Sequence, residues 1–414
     1  MQTTHQAQST NSITRILFFM IMTLATISHI TADMYVPSLP AITKALATNP
    51  STVQLTLSIY MLGFSVSHLF YGPISDRIGR RKPILFGAGL SVIGGLLCYL
   101  APSISILILG RFIQGIGMGA TNSITRSLMR DLFAGPHLAK IGSHLGMAMV
   151  FVIAGAPTLG GYVQYYFNWR ANFLILFIYT TLIWVFIWKA LPETNQNLNA
   201  TATKLNVVAR NYFILLKSKV FMGYTLCCSF AYAGLIAYVT SSPFLLQNVI
   251  GLTPQQFGWL SLLIGGCIFI SSFINSKWVM IKGISFMLLA GIYLMLAGGS
   301  LMLILGLSGY VNIYSIMIPI MIFSTGVGFA FTNASAGAMH PFPKMAGSSA
   351  ALYGCLQIFG GSLASALIAT LHINNQIPLA WMLLIMGLLA LVSFHYLAIK
   401  EEKNALNDQV FSTN

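Results

Sequence analysis

Long apolar runs, separated by polar stretches, recur along the whole chain. A helix needs roughly 20 apolar residues to cross a bilayer. Twelve runs are about this length, at residues 15–43, 51–73, 83–101, 104–128, 139–163, 171–190, 219–243, 255–276, 284–306, 312–336, 346–370 and 377–399. Each run predicts one transmembrane helix. Because the number of runs is even, the pattern predicts that both termini lie on the same side of the membrane.

One polar stretch, at residues 191–218, is much longer than the others and is rich in Asn and Thr. It separates the runs into two groups of six. We therefore predict an amino-terminal six-helix half at residues 1–190, a linker at 191–218 and a carboxyl-terminal six-helix half at 219–414. The remaining polar stretches are too short to hold a separate soluble catalytic domain.

The composition supports a membrane location. Hydrophobic residues make up 56% of the chain and charged residues only 7%. An ordinary soluble surface needs several times more charge. We conclude that the chain is an all-α integral membrane protein with twelve transmembrane helices in two six-helix halves.

The net charge is +14, but the basic residues follow the predicted topology and are not gathered on one face. We therefore expect no nucleic-acid partner. If the amino terminus is cytoplasmic, only Lys44 and Arg170 lie outside, and Arg111 and Arg126 lie within the fourth run. All other basic residues are then cytoplasmic: Arg15, Arg77, Arg80, Arg81, Lys82, Arg130, Lys140, Lys189, Lys204, Arg210, Lys217, Lys219, Lys277, Lys282, Lys344, Lys400 and Lys403. This asymmetry predicts cytoplasmic termini and a cytoplasmic linker. The first run is too long for a signal-peptide core and lacks a small-residue cleavage site, so we expect it to remain as a helix.

Asp33 lies within an apolar run, whereas the other acidic residues lie in or beside polar stretches or in the tail: Asp76, Asp131, Glu193, Glu401, Glu402 and Asp408. A carboxylate in hydrocarbon costs several kcal/mol, so such a residue usually faces a cavity and marks a proton, ion or substrate path. His29 lies one helical turn earlier on the same face. The pair is a candidate proton site. The alternative is a polar contact that only fixes helix packing.

Arg111 is a second charge within an apolar run. A guanidinium group stays protonated under physiological conditions, so Arg111 cannot carry the proton and must find acceptors or a wet cavity. The alternative to a functional role is a structural arginine that bonds to helix carbonyls.

The neutral polar and aromatic residues of the runs supply candidates for substrate binding. Gln54 and Ser58 share a helix face that could line an aqueous cavity, although polar contacts between helices explain them equally well. No run of the carboxyl-terminal half contains an acid, so we expect that half to contribute shape, aromatic surface and neutral hydrogen bonds. The candidates are Tyr35, Gln54, Ser58, Tyr60, Gln114, Tyr232, Tyr238, Asn333, Tyr353 and Gln357. Together they would suit a small, neutral, amphipathic molecule.

The loop after the second run combines glycine, acid and base in a specific spacing. Its residues are Gly72, Asp76, Arg77, Gly79, Arg80 and Arg81. Glycine permits a tight turn and close helix approach, and an acid there can bond to helix-terminal amides or to arginine. This loop resembles the signature loop of the major facilitator superfamily.

Further motifs extend the resemblance over nearly the whole chain. The segment from Gly110 to Gly119, with Arg111 and Gln114, is similar to the intramembrane arginine motif of the superfamily. Gly155, Pro157, Gly160 and Gly161 resemble the antiporter motif of drug exporters. Four other segments resemble the Bcr/CflA group, which includes bicyclomycin, chloramphenicol and florfenicol exporters: Asp33 to Pro40, Trp169-Arg170, Pro192 to Thr194 and His340 to Gly347.

The resemblance implies a drug:proton antiporter that works by alternating access, with Arg111 acting in coupling and the fifth helix limiting leakage between the halves. Two departures restrict it. Ala25 stands where some relatives have a second carboxylate, which argues against recognition of cationic drugs through two acids. The equivalent loop of the second half, from Asn275 to Gly283, contains no acid.

We therefore expect a monomeric exporter of small amphipathic compounds in the bacterial inner membrane, with the proton as coupling ion and no metal or organic cofactor. The alternative is an exporter or importer of one metabolite, such as a siderophore, a sugar derivative or a peptide. We do not expect an enzyme. The chain has no nucleotide-binding loop, and its histidines lack metal-site spacing: His5, His29, His68, His137, His144, His340, His372 and His395.

Overall fold

The computed structural model describes residues 2–133, 135–195, 198–371 and 374–399, without the side chains of residues 2–16, 135–140, 143, 147, 150, 205, 344 and 399. Several side chains named above therefore lie outside the described residues: Arg15, Lys140, Lys344, Lys400, Lys403, His5, His137, His372, Glu401, Glu402 and Asp408. Every regular element in the described ranges is helical, which confirms the all-α prediction.

Twelve helices of the described chain are long and apolar enough to cross a membrane, which confirms the predicted number. The first consists of α1 (Gln2–Asp33), a 3-10 turn (Val36–Ser38) and α2 (Leu39–Ala45). The next five are α3 (Pro50–Ile78), α4 (Arg81–Leu100), α5 (Ile104–Leu132), α6 (Gly135–Tyr166) and α7 (Trp169–Ala190). After the short helix α8 (Leu205–Lys217) come α9 (Lys219–Pro243), α10 (Pro254–Lys282), α11 (Ile284–Leu307), α12 (Ile313–Met339), α13 (Ala346–Thr370) and α14 (Ile377–Ser393). A π turn extends α9 to Val249, and another extends α14 to Ile399.

The first membrane helix is interrupted directly after Asp33. Proline has no N–H group, and its ring clashes with the preceding turn of an α-helix. Pro37 follows within four residues, and the chain passes through the 3-10 turn before α2 begins. The backbone of α6 approaches this break so closely that a side chain at Gly160 would collide with the Met34 carbonyl. The interruption therefore holds Asp33 at the end of a helix, inside the helical bundle.

Corresponding features recur in the two halves. Helices α3 and α10 both contain 29 residues, begin with proline and end at a glycine with positive φ, which is +94° at Gly79 and +82° at Gly283. This backbone conformation favours glycine because a Cβ atom would be strained there. In both halves the next helix then packs closely on its partner: a Cβ at Gly87 would lie 2.7 Å from the Gly117 carbonyl, and a Cβ at Gly291 would lie 2.7 Å from the Gly326 carbonyl.

The charged residues distinguish the two ends of the bundle. We call the end that carries Arg77, Lys189 and Lys282 the basic end, and the end that carries Lys44 and Arg170 the opposite end. The two halves meet mainly where α3 packs against α13 and where α6 packs against α10. These two contacts flank the space in which the predicted site residues gather.

Candidate transport site

A cavity of about 300 Å³ lies between the two halves. Its lining extends from Val36 and Ser242 to Arg130 and Gly347, the last two of which lie near the basic end. Small-molecule sites in proteins usually begin at about this volume. The cavity is therefore the candidate transport site.

Asp33 lines this cavity, and so does His29. The Asp33 side chain is half-buried, and the described residues include no hydrogen-bond or ion-pair partner for its carboxyl group. The His29 Nδ1 atom lies 3.2 Å from the Ser28 Oγ atom, and the contacts of the described residues include no bond between His29 and Asp33. Asp33 thus faces the cavity with both oxygens available to a proton or a ligand.

Arg111 lies behind the cavity wall and is completely buried. Its guanidinium group is stacked between two aromatic rings, 4.3 Å from the centre of Tyr35 and 4.1 Å from the centre of Tyr60. Its Nη1 atom donates to the Thr31 carbonyl at 2.9 Å and to Gln114 Oε1 at 2.6 Å. The Nε and Nη2 atoms have no acceptor among the described residues. Arg111 is therefore a positive charge that is held by aromatic faces and neutral oxygens, not by a direct ion pair.

Eight of the ten predicted substrate-binding residues occupy three different environments. Tyr60, Tyr232, Tyr238 and Gln357 line the cavity together with Asp33. Tyr35 and Gln114 instead hold Arg111 behind the wall. Asn333 and Tyr353 are buried outside the lining, and Asn333 bonds to Asn275 Oδ1 at 2.7 Å. The roles of all these residues in binding stay predictions.

Gln54 and Ser58 belong to a layer that closes the cavity towards the opposite end. Gln54 Nε2 donates to the Thr240 carbonyl (3.2 Å), and Ser58 Oγ donates to Ser365 Oγ (2.8 Å). Two further bonds join the halves, from Gln247 Nε2 to the Pro37 carbonyl (3.0 Å) and from Thr158 Oγ1 to the Gly258 carbonyl (2.8 Å). We call this layer the seal. Of the two readings of Gln54 and Ser58, this arrangement matches contact between helices.

The glycines of the fifth membrane helix lie at the same closed end. A side chain at Gly161 would collide with the Pro254 carbonyl at the start of α10, and Pro157 lines the cavity. Gly160 approaches Met34 in the same way, whereas a Cβ atom at Gly155 would meet no other atom within 4 Å. Small residues allow helix backbones to pack closely. This segment therefore joins the break in the first membrane helix to the second half.

At the basic end, Arg80 joins the loop to the neighbouring helix. It is buried and forms ion pairs with Asp76 and with Asp131, the latter at 2.9 Å. Its Nη1 atom also donates to Ser75 Oγ at 2.7 Å. The remaining members of the loop sit around this network: Ser75 Oγ donates to the Gly72 carbonyl (2.8 Å), Arg77 Nη1 to Thr203 Oγ1 (2.8 Å) and Arg81 Nη2 to the Trp188 carbonyl (2.8 Å). The loop thus joins α3 to α5, α7 and the linker.

A family model described as "Major Facilitator Superfamily" matches residues 21–365. The chain belongs to this superfamily. It is 28% identical to "Bicyclomycin resistance protein homolog" of Haemophilus influenzae, over 94% of this chain and 98% of that relative. It is 30% identical to "Multidrug resistance protein D" of Escherichia coli (strain K12), over 93% of this chain and 96% of that relative. These similarities confirm the family resemblance that the motifs indicate.

A solved structure shares the superfamily fold. The D-xylose-proton symporter superposes with a TM-score of 0.73 over 92% of this chain and 97% of the symporter, at 14% sequence identity. At this identity the likeness shows the fold alone. Together with the twelve membrane helices, it confirms the predicted superfamily fold.

Three cavity residues of this superfamily member were not among the predicted site residues. Asn122 and Arg126 on α5 and His68 on α3 all line the cavity. The His68 Nε2 atom lies 3.2 Å from Asn122 Oδ1, and Asn122 Nδ2 lies 3.5 Å from Ser28 Oγ. The sequence does contain a signal for the α5 pair. Asn122 follows Arg111 by eleven residues, which is close to three helical turns, and Arg126 follows one turn later on the same side.

Glu193, in the segment that resembles the Bcr/CflA group, caps the start of α4. Its carboxylate accepts hydrogen bonds from the backbone N–H groups of Arg80 (2.8 Å) and Arg81 (3.2 Å). Burial opposes its ionisation, but the backbone N–H groups of Asn195, Arg80, Arg81 and Thr194 together hold its pKa below the ordinary value of 4.5. A carboxylate with a lowered pKa in the folded state stabilises the fold above the unfolded-state pKa, and this contribution disappears as pH falls through the lowered pKa.

We expect Glu193→Gln to destabilise the protein by about 0.5–1 kcal/mol at pH 7, the lower part of the range for a lost helix cap, because this cap is largely exposed. The gap between variant and wild type should begin to narrow as the pH falls below about 4.5, the unfolded-state pKa, and should close as the pH falls through the lowered pKa of the folded protein. Thermal unfolding of the purified proteins between pH 3.5 and pH 7 measures this gap. Equal stability at pH 7, or a gap that widens on acidification, would contradict the role of the charge.

Proposed function

We propose that this protein is a proton-coupled drug exporter of the bacterial inner membrane, which exchanges small amphipathic compounds for protons by alternating access. The observation that carries the proposal is the position of Asp33. Its carboxyl group faces a cavity between the two halves, and the described residues provide it with no hydrogen-bond or ion-pair partner. A protein retains an acid within a membrane helix where it serves an ion or substrate path.

The names of the relatives support export of drugs. Two relatives that match nearly the whole chain are named for bicyclomycin resistance and for multidrug resistance. The lining of the cavity agrees with amphipathic substrates, since it combines Asp33 with Tyr232, Tyr238 and Phe331. Flat aromatic faces bury apolar substrate surface, and a few polar groups orient it.

The orientation in the membrane follows from charge. Cytoplasmic segments carry an excess of Lys and Arg, so we assign the basic end to the cytoplasm, together with both termini and the linker. The seal then lies on the outer side, and the conformation described here corresponds to a state that faces inward. In this state a compound from the cytoplasm reaches Asp33 without crossing the seal.

The exchange uses one carboxyl group for two tasks. A carboxyl group holds its proton more tightly when water is removed from it, and less tightly when water or a cation is near. In our scheme Asp33 takes up a proton in the outward-facing state and releases it in the inward-facing state, where substrate competes with the proton. One charge that crosses the membrane is worth about 2.3 kcal/mol per 100 mV, which is enough to drive accumulation by tens of fold.

Arg111 biases this exchange without carrying the proton itself. It acts electrostatically on the Asp33 carboxyl group from the protein side of the cavity wall. Tyr60 lies between the cavity and Arg111, because its ring both lines the cavity and stacks on the guanidinium group. A substrate that displaces Tyr60 would therefore change the field at Asp33.

Reconstitution tests the proposal. Purified protein in liposomes should accumulate labelled chloramphenicol when the interior is more acidic than the exterior. The accumulation should collapse when nigericin removes the pH gradient, and ATP should have no effect. Liposomes without protein provide the background. Uptake that ignores the gradient, or that requires ATP, would contradict proton exchange, and a protein that moves only one nutrient would be a specific carrier.

A further inference from the structure

Arg126 presents a charged group to the cavity without a partner. Its side chain lines the cavity, and within the described parts of the chain no atom accepts a hydrogen bond or forms an ion pair with its guanidinium group. Neighbouring arginines differ. Arg111 is held by Tyr35, Tyr60 and two oxygens behind the wall, and Arg130 donates to Ser127 Oγ at 3.3 Å.

The helix that carries Arg126 presents a polar face to the cavity. Asn122, Ser123, Arg126, Ser127 and Arg130 all line the cavity from α5, at spacings that keep them on one side of a helix. Their groups are amides, hydroxyls and guanidinium groups. This face therefore offers many hydrogen-bond donors and no negative charge.

The lining as a whole has an excess of positive charge. Asp33 is the one acid among the lining residues, whereas two arginines, Arg126 and Arg130, line the cavity. Asp33 lies beside the break in the first membrane helix, whereas Arg126 lies about 22 Å along α5 from Arg111, at 1.5 Å per residue. Asp33 and Arg126 thus line one cavity from different helices, and the carboxyl group forms no ion pair with the guanidinium group.

The Arg126 guanidinium group remains charged and is exposed within the cavity, so its donors are open to a ligand. Its planar fork matches the two oxygens of a carboxylate, and such paired hydrogen bonds are among the strongest in proteins. An oxyanion on the transported molecule would supply the missing acceptor. The α13 wall leaves room for that molecule, because four of its six lining residues are small: Gly347, Ala350, Ala351 and Gly354.

We propose that Arg126 forms an anion subsite in the transport cavity, which takes the carboxylate of an amphipathic aromatic substrate. The apolar body of that substrate lies against Tyr232, Phe331 and Ile358 of the second half. The assignment rests on the proposed export function and adds the class of substrate. Exchange of one proton for a monoanion moves two charges across the membrane in each cycle, whereas exchange for a neutral compound moves one.

Binding of three aromatic probes of matched shape tests the subsite. The probes are 2-naphthoate, 2-naphthamide and 2-naphthylmethylammonium, titrated by calorimetry into the full-length protein in nanodiscs at pH 7. Wild type should bind naphthoate at least tenfold more tightly than naphthamide, and the ammonium probe most weakly. A tenfold preference is what about 1.4 kcal/mol of interaction provides. Inorganic phosphate at the same concentration should not displace naphthoate, because it lacks the apolar body.

Variants assign the preference to one side chain. Arg126→Gln should bind naphthoate and naphthamide equally. Arg126→Lys keeps the charge but loses the fork, so naphthoate binding should weaken at least threefold while naphthamide binding is unchanged. Lys277→Gln is the matched control, because it removes one positive charge from an exposed residue outside the cavity lining, and the preference should persist.

The outcomes separate the subsite from the proposed export function. Equal binding of naphthoate and naphthamide by wild type overturns the subsite, and so does a preference that survives in both Arg126 variants. Displacement by phosphate alone would show a general anion site and would also overturn the substrate assignment. Chloramphenicol exchange is measured on the same preparations, so loss of proton coupling with an intact naphthoate preference would overturn the export function alone. If Arg126→Gln does not fold, the binding of the three probes by wild type and by Arg126→Lys still tests the subsite.

Discussion

Replacement of Asp33 by Asn is expected to abolish proton exchange while ligand binding persists. Asparagine has nearly the same shape as aspartate but cannot take up or release a proton at neutral pH. Wild type in weakly buffered detergent should release up to about one proton per bound chloramphenicol, because ligand and proton compete for the same carboxyl group. The variant should bind the compound and release none, and its gradient-driven uptake in liposomes should fall to background.

Glu193→Gln is the matched control for this experiment. It also removes one carboxyl group, but Glu193 lies at the basic end, outside the cavity lining, and its bonds are to backbone N–H groups. Proton release should be the same as in wild type at pH 7. If Asp33→Asn still releases protons on binding, another group couples transport. If neither wild type nor variant releases protons, the protein works without proton exchange.

The membrane helices could be predicted because their signal is averaged over about 20 residues each. The interruption after Asp33 also has a local cause, since Pro37 cannot continue a regular helix. The loop around Arg80 has a specific combination of residue types, and it forms a compact network with Asp76 and Asp131. These features depend on local chemistry, which a sequence contains directly.

The facing of individual polar residues could not be predicted in the same way. Gln54 and Ser58 share one face of α3. That face can turn towards water or towards α13, and only the packing of the two halves determines which of the two it contacts. In this conformation Ser58 bonds to Ser365 across the interface of the halves. Asn333 similarly bonds to Asn275 within the second half. Alternating access adds a second difficulty, because one residue can line the cavity in one state and close it in another.

Arg126 illustrates a different reason for a missed residue. The sequence places it near the carboxyl-terminal end of the fourth apolar run, where long basic side chains commonly extend their head groups into the interfacial region. The structure places it in the cavity instead, because α5 turns one side to the cavity between Asn122 and Arg130. The position of a residue along a membrane helix determines its depth in the membrane. Whether its side chain faces lipid, protein or a cavity depends on how the helices pack in the assembled bundle.

Arg111→Met is expected to abolish exchange without a loss of stability. The guanidinium group is completely buried, two of its nitrogens have no acceptor in the described part of the protein, and its bonds are to neutral oxygens. A buried donor that has no acceptor costs about 1–3 kcal/mol. Methionine fills most of the same space between Tyr35 and Tyr60 and carries no such cost. Its apparent Tm should therefore equal or exceed that of wild type, while gradient-driven chloramphenicol uptake falls to background because the bias on Asp33 is lost.

Arg111→Lys separates charge from shape. Lysine keeps the positive charge but cannot stack a planar group between two rings, so this variant should be less stable than both wild type and Arg111→Met and should retain some exchange. Arg170→Met is the matched control, since Arg170 also stacks on an aromatic ring, at 4.2 Å from Trp169, and donates to a backbone carbonyl, but at the opposite end. Its exchange rate should equal that of wild type. A Tm of Arg111→Met that falls well below wild type would mean that Arg111 stabilises the bundle, and full exchange by Arg111→Met would remove it from the coupling mechanism.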